Sequence, residues 1–155
     1  SGVVMGRKTL DSFPGGKPLK DRINVVITRI RDFSRDGVIV VHGIEELEAF
    51  LDFSLGLFCG GTCDDEKIGK SFKIPQSVQI PENFSGEVFV IGGESVYRQL
   101  VPLCDTVFIT RVDAEFEADA FFPALDSDPE WSVTFESEPL EYEGTGYRFV
   151  TYEKV

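Results

Sequence analysis

Apolar positions along this chain fall into two patterns. Val3–Met5, Asn24–Thr28 (NVVIT), Val38–Val41 and Val88–Ile91 are near-continuous, mostly β-branched runs, which predict strands covered on both faces as in a parallel sheet. Between them the spacing turns helical. Thr9–Phe13 predicts a short helix stopped by Pro14-Gly15-Gly16. Ile44–Phe53 predicts a longer one, with Ile44, Leu47, Phe50 and Leu51 on one face, and Glu94–Val101 a third, ended by Pro102. Thr106–Arg111, Ser132–Glu136 and Tyr147–Glu153 predict further strands, and the last alternates as a late antiparallel strand should. Ser54–Gly86 is irregular and rich in Gly, Pro and polar residues, with extended pieces at Phe72–Ile74 and Val78–Ile80; it predicts an elaborated insertion. The alternation of strand and helix predicts an α/β fold with a mostly parallel sheet, and no repeat or linker divides residues 1–155, which predicts a single domain.

Composition narrows the function. Lys and Arg number 15 against 27 Asp and Glu, a net charge of −12. Nucleic acid and anionic membrane both demand a basic face, so neither is the expected partner. A small anion could bind only at a local cluster of cations or backbone N–H groups. No run approaches the ~20 apolar residues that span a bilayer, and no signal segment opens the chain, so the expected location is cytoplasmic. The three cysteines, Cys59, Cys63 and Cys104, are an odd count, and with His42 the only histidine they predict reduced structural thiols and no metal site.

Three stretches carry candidate chemistry. In Gly6-Arg7-Lys8-Thr9 a glycine follows a strand and opens a helix. Backbone can approach a ligand closely there, and orphan N–H groups, two cations and a hydroxyl suit a phosphate. The same four residues also fit a solvated basic turn. In Ile91-Gly92-Gly93-Glu94-Ser95-Val96-Tyr97 a second strand runs through paired glycines into a helix, an arrangement that also fits a plain turn. Two such junctions in one sheet could hold the two ends of a diphosphate across the carboxyl edge. Thr28-Arg29 ends another strand and could clamp a further phosphate, although a lone Arg at a strand end is usually a surface residue.

Taken whole, VVMGRKTLDSFPGGKPLKDRINVVITR (Val3–Arg29) and VFVIGGESVYRQLVPLCDTVFITRVDAEFEADAFFP (Val88–Pro123) resemble the dihydrofolate reductase family, and Tyr147–Lys154 resembles its terminal strand. The resemblance implies a mostly parallel central sheet flanked by helices with an antiparallel C-terminal strand. It implies NADPH as cofactor and dihydrofolate and antifolates as small-molecule partners, with reduction of 7,8-dihydrofolate to tetrahydrofolate by hydride transfer. It implies Arg7, Thr28 and Arg29 on the 2′-phosphate. Gly6, Lys8, Thr9, Gly93, Glu94, Ser95 and Val96 would surround the pyrophosphate, and Gly92-Gly93 would carry a cis peptide. Ile91 and Tyr97 would border the nicotinamide, Phe13 and Leu19 would pack on the substrate's aromatic tail, and Arg22 would pair with its carboxylate. Thr110 would bond the catalytic carboxylate.

That carboxylate belongs, in the family, to a strand–loop–helix preceding the segment that resembles Val3–Thr9. No catalytic carboxylate is therefore assigned within this chain. Asp11, Asp113 and Asp119 do not match its position. The first central strand is expected to be absent, leaving its neighbours unpaired, and the chain as given is expected to show little activity alone. A complete protein would be a monomer, and a truncated one open to strand exchange. Two alternatives stay open: a non-catalytic NADPH-binding module, and the riboflavin-pathway pyrimidine reductase of the same fold. The PLKDR context of Arg22 favours folate over the latter.

Overall fold

A computed structural model describes residues 1–54, 87–114 and 122–155. Residues 55–86 of the insertion expected over Ser54–Gly86, which include both its extended pieces, Cys59 and Cys63, lie outside the described residues, as does Asp119. The chain divides into two compact units, Ser1–Gln99 and Leu100–Val155.

The first unit holds four parallel strands: β1 (Gly2–Gly6), β2 (Ile23–Ile27), β3 (Val38–Val41) and β4 (Val88–Val90), in the order β3-β2-β1-β4. Register is fixed by pairs such as Val4↔Val25, Val4↔Val90 and Val25↔Ile39. The apolar runs form β1 and β2 because a central parallel strand buries both faces: all five residues of β2 are buried, and Val4, Met5 and Val26 are fully so, whereas β4, at the edge of the sheet, leaves Phe89 exposed and is not covered on both faces as its run predicts. Val3, Met5, Leu10, Val26 and Val38 form one core cluster, against which Phe13, Phe33, Val40 and Ile91 pack.

Helix α1 spans Arg7–Asp11, two residues earlier than its expected start, because Gly6 (φ −79°, ψ 159°) is the residue that turns the strand into it. Phe13 leaves the helix in an extended conformation and opens a 3₁₀ turn at Pro14–Gly16. Helix α2 is Ile44–Ser54, and Glu46 in its first turn reaches back to accept the backbone N–H of His42 at 2.7 Å. Helix α3 is Glu94–Leu100; a 3₁₀ turn, Val101–Leu103, follows it, with Pro102 at its second position, where a missing N–H costs nothing.

The second unit is antiparallel. β5 (Thr106–Val112), β8 (Thr145–Lys154) and β6 (Trp131–Glu136) lie in the order β5-β8-β6, and β7 (Leu140–Tyr142) also pairs with β8. The pattern of the sequence does not reveal β7. It is three residues long and exists through its hairpin, whose two-residue turn, Glu143 (φ 48°) and Gly144 (φ 80°), has the twist that suits a tight β-hairpin. Tyr152 is buried on β8 and its hydroxyl donates to Asp126 Oδ1 at 2.7 Å; Arg111 on β5 bonds the other carboxylate oxygen at 2.5 Å and also reaches the Tyr152 hydroxyl. Cys104 is a free, half-buried thiol, pushed up first by burial and then by Asp105, against the opposing pull of Lys154. A thiol kept protonated in this way is a poor nucleophile.

The Asp126 carboxyl is held below its ordinary 3.8, first by the Tyr152 hydroxyl and then by Arg111. The unfolded chain therefore takes up this proton first, so the contribution to stability is complete above the ordinary value and is lost as pH falls through the lower native one. The pair is largely exposed, which keeps the effect small. Replacing Asp126 by Asn is expected to lower the melting temperature at neutral pH and to matter progressively less in acid; a difference that persists unchanged below pH ~3 would rule out the ionic origin.

Candidate functional site

Because all four strands of the first sheet run parallel, their carboxyl ends share one edge. There the chain leaves β1 at Gly6, β2 at Thr28, β3 at His42 and β4 at Ile91. The two glycine junctions found in the sequence meet at this edge. Gly6 N–H donates to the Gly92 carbonyl at 2.8 Å, and Ile91 N–H to the Val4 carbonyl at 3.0 Å. A Cβ on Gly6 would stand 3.3 Å from Val96 Cγ2 and 3.7 Å from the Gly93 nitrogen, and one on Gly93 3.7 Å from Thr9 Oγ1. Gly6, Gly92 and Gly93 are thus brought together backbone to backbone, with the Val96 methyl and the Thr9 hydroxyl closing around them, and only the Val96 contact is tight.

Gly92 is the most constrained. Its φ is +115°, which L side chains rarely adopt, and a Cβ there would meet the Tyr97 ring at 3.3 Å. The Gly92–Gly93 bond is cis, as the resemblance implies. The Tyr97 N–H closes the first turn of α3 on the Gly93 carbonyl at 2.9 Å. Burial pushes the Tyr97 phenol up, so it stays neutral near pH 7, a hydroxyl and not a base. Ile91 is half-buried against the core cluster, and Ser95 is exposed at the start of α3. α1 has five residues and α3 seven. Neither is long enough for a large macrodipole, so what this edge offers an anion is orphan N–H groups and cations.

The cations are arranged unequally. Lys8 and Arg29 are exposed. Arg7 is paired with Asp11 at 2.8 Å, and Arg35 reaches the other oxygen of the same carboxylate at 3.0 Å while bonding the Gly16 carbonyl at 2.6 Å. An exposed i,i+4 pair is worth only about 0.3–0.5 kcal/mol. A phosphate can therefore draw Arg7 away, and Arg35 still neutralises Asp11 when it does. Asp11 is exposed and shared between two arginines.

Thr28 is fixed at the end of β2 by its N–H on the Val41 carbonyl at 3.0 Å and by the His42 ring, whose Nδ1 meets the Thr28 carbonyl at 2.9 Å. Since a carbonyl only accepts, that nitrogen carries the proton. Sequence reasoning missed His42: its partner is 14 residues away, and only the β2–β3 register brings them together. Phe13, Leu19 and Arg22 lie between α1 and β2. Phe13 is half-buried on the core cluster, and Leu19 and Arg22 are exposed. Thr110 is exposed on β5, in the second unit. Among the described residues no group of three or more His, Cys, Asp or Glu could hold a metal ion, and no helix is long and apolar enough to cross a membrane.

A parallel sheet with two glycine junctions touching at its carboxyl edge defines a class of α/β protein built to take an extended ligand at that edge. The family profile described as dihydrofolate reductase matches residues 1–63 and 61–154. The dihydrofolate reductase of Neisseria meningitidis serogroup A is 34% identical over 151 residues, covering 97% of this chain and 73% of that protein. That of Staphylococcus aureus strain Mu50 is 30% identical over 131 residues, covering 84% and 59%. Among solved structures, dihydrofolate reductase from Enterococcus faecalis complexed with NADP(H) and RAB-propyl superposes with a TM-score of 0.66 at 26% identity, covering 99% of this chain and 73% of that one. The chain belongs to the dihydrofolate reductase family, an oxidoreductase family, and its fold is that family's mixed α/β architecture.

Glycine is needed at the two junctions for different reasons, which predicts different costs. Gly92→Ala is expected to lose about 1–3 kcal/mol of stability, since its backbone lies where only glycine is unstrained. Gly6→Ala, at an ordinary φ of −79°, is crowded only by a methyl of Val96, its other neighbours lying at ordinary contact distance, and should lose less. Urea unfolding midpoints of the two variants give the order; the reverse order would contradict the geometry.

Proposed function

We propose that this chain binds NADPH along the carboxyl edge of the β1–β4 sheet and serves the reduction of 7,8-dihydrofolate to tetrahydrofolate, with no catalytic carboxylate assigned among its own residues. The observation that carries the reading is the contact between the two glycine junctions, with Gly6 N–H on the Gly92 carbonyl at 2.8 Å. It brings the Thr9 hydroxyl beside Gly93, which has no side chain of its own to cover the backbone there, while the Tyr97 ring packs against Gly92. A pyrophosphate fits there because its oxygens are satisfied by N–H groups at short range. The matched family and the named relatives support the same reading.

In this proposal Gly6, Lys8, Thr9, Gly93, Glu94, Ser95 and Val96 surround the pyrophosphate. Arg7, Thr28 and Arg29 take the 2′-phosphate, with His42 holding the Thr28 carbonyl and so the direction of the chain into Arg29. Ile91 and Tyr97 border the nicotinamide: Ile91 offers an apolar wall that excludes water, and Tyr97 a neutral hydroxyl. When bound, the cofactor supplies the hydride. Phe13 and Leu19 present apolar surface to the substrate's aromatic tail, and Arg22 a planar fork for its carboxylate. The role proposed for Thr110 is a hydrogen bond to the carboxylate that supports protonation of the pterin.

Selectivity for the phosphorylated cofactor tests the reading. NADPH should bind at least tenfold more tightly than NADH, since one charge-assisted bond of about 1.5–3 kcal/mol already suffices for that ratio. Replacing Arg7 and Arg29 together by Ala should remove most of the difference, read by calorimetric titration with each cofactor. Equal affinities of the unaltered protein for the two cofactors would refute the assignment.

A further inference from the structure

Asn24 is the only buried polar or charged residue among those described, at 2% exposure, and it interrupts the otherwise aliphatic strand Ile23–Ile27. Any β-branched residue would fill this position of the sheet, and burying an amide is costly unless it is fully paired. Its pairing is complete, and all of it goes to one place. Oδ1 accepts the Leu19 N–H at 2.9 Å, and Nδ2 donates to the carbonyls of Leu19 at 2.9 Å and Arg22 at 3.0 Å. A backbone N–H must find an acceptor and each carbonyl a donor, so only this orientation of the amide satisfies all three. The turn so held contains Asp21 at φ 57°, in the left-handed region. The chain therefore enters Arg22 from a conformation that extended backbone would not reach, and the bond to the Arg22 carbonyl fixes where it leaves.

We infer that Asn24 is a positioning residue for recognition of the carboxylate-bearing end of the substrate: from within the sheet it clamps the Leu19–Arg22 turn, so that the exposed Arg22 guanidinium is held ready before the ligand arrives. This rests on the proposed role of Arg22 in taking that carboxylate. The clamp explains why an amide stands where the sheet would prefer an aliphatic side chain. A carboxylate at this position could not donate to the two carbonyls, and a hydroxyl is too short to span three groups. A bidentate contact tolerates little misplacement, since an error near 1 Å can cost on the order of a hundredfold in a positioned site.

The test compares two ligands in the full chain saturated with NADPH: folate, which carries the glutamate tail, and 6-methylpterin, which has none. Asn24→Ser is expected to weaken folate about tenfold and to leave 6-methylpterin within about twofold, so that the ratio of the two affinities falls, as it does, further, in Arg22→Leu. If Arg22→Leu leaves the ratio unchanged, the reading of Arg22 fails and this inference with it. If Arg22→Leu lowers the ratio and Asn24→Ser, folded and binding NADPH normally, does not, the inference alone fails. Should Asn24→Ser not fold, hydrogen exchange at the Leu19 amide of the unaltered protein decides. Slow exchange without folate supports a clamp formed in advance. Exchange at the rate of an unprotected amide, slowing only when folate binds, would overturn it.

Discussion

The approach of β1 to β4 at Gly6 and Gly92 is the constraint on which the rest of the first unit depends. One hydrogen bond of 2.8 Å joins the two segments just where both leave the sheet, and Gly6 has no Cβ to press on Val96 and Gly93 across it. Because β1 and β4 are parallel and adjacent, α1 and α3 start from the same edge, and Thr9 and Val96 come within contact of the opposite junction. A side chain on Gly92 would push against the Tyr97 ring. Packing, helix placement and the open backbone at the edge are thus one event, and chemistry proposed for this edge inherits its geometry.

Charge acts locally against a contrary background. The chain carries a net charge of −12, which by itself repels an anionic ligand. Around the edge, however, Arg7, Lys8 and Arg29 stand within a few residues of the strand ends, and the one acid bonded to Arg7, Asp11, is shared with Arg35. Weak surface pairing of this kind keeps arginines soluble and oriented without binding them so tightly that a phosphate could not compete. Asn24 works by the opposite rule. Its bonds are buried, so they are costly to break and suited to fixing a turn and not to exchange.

Much of this was legible in the sequence because the physics involved is local. Buried parallel strands must be apolar throughout, so β1 to β3 stand out as runs; β4 is equally apolar but lies at the edge of its sheet, with Phe89 exposed and not covered as its run predicts, and a single glycine after β1 and a pair after β4 mark the junctions. What escaped depends on partners distant in the chain. Helix α1 begins at Arg7 and not Thr9 because Gly6 turns as soon as β4 pairs beside it. β7 is invisible as a periodic segment and shows only in the Glu143-Gly144 turn that closes it. His42 and Asn24 read as isolated polar residues at or within strands; their meaning comes from Thr28, 14 residues away, and from a turn that folds back on β2. The pairing of Asp11 with Arg35 spans 24 residues and no spacing rule anticipates it.

The two glycine junctions are together the proposed seat of the cofactor's phosphates. Amide chemical-shift mapping during titration with NADP⁺ tests it most directly, since it reports each backbone N–H separately. The largest shifts are expected at Gly6–Thr9 and Gly93–Tyr97, saturating together at one affinity, with Thr28 and Arg29 following the same curve. Shifts confined to one junction, or centred on the β7–β8 hairpin while Gly6 and Gly93 stay still, would contradict it.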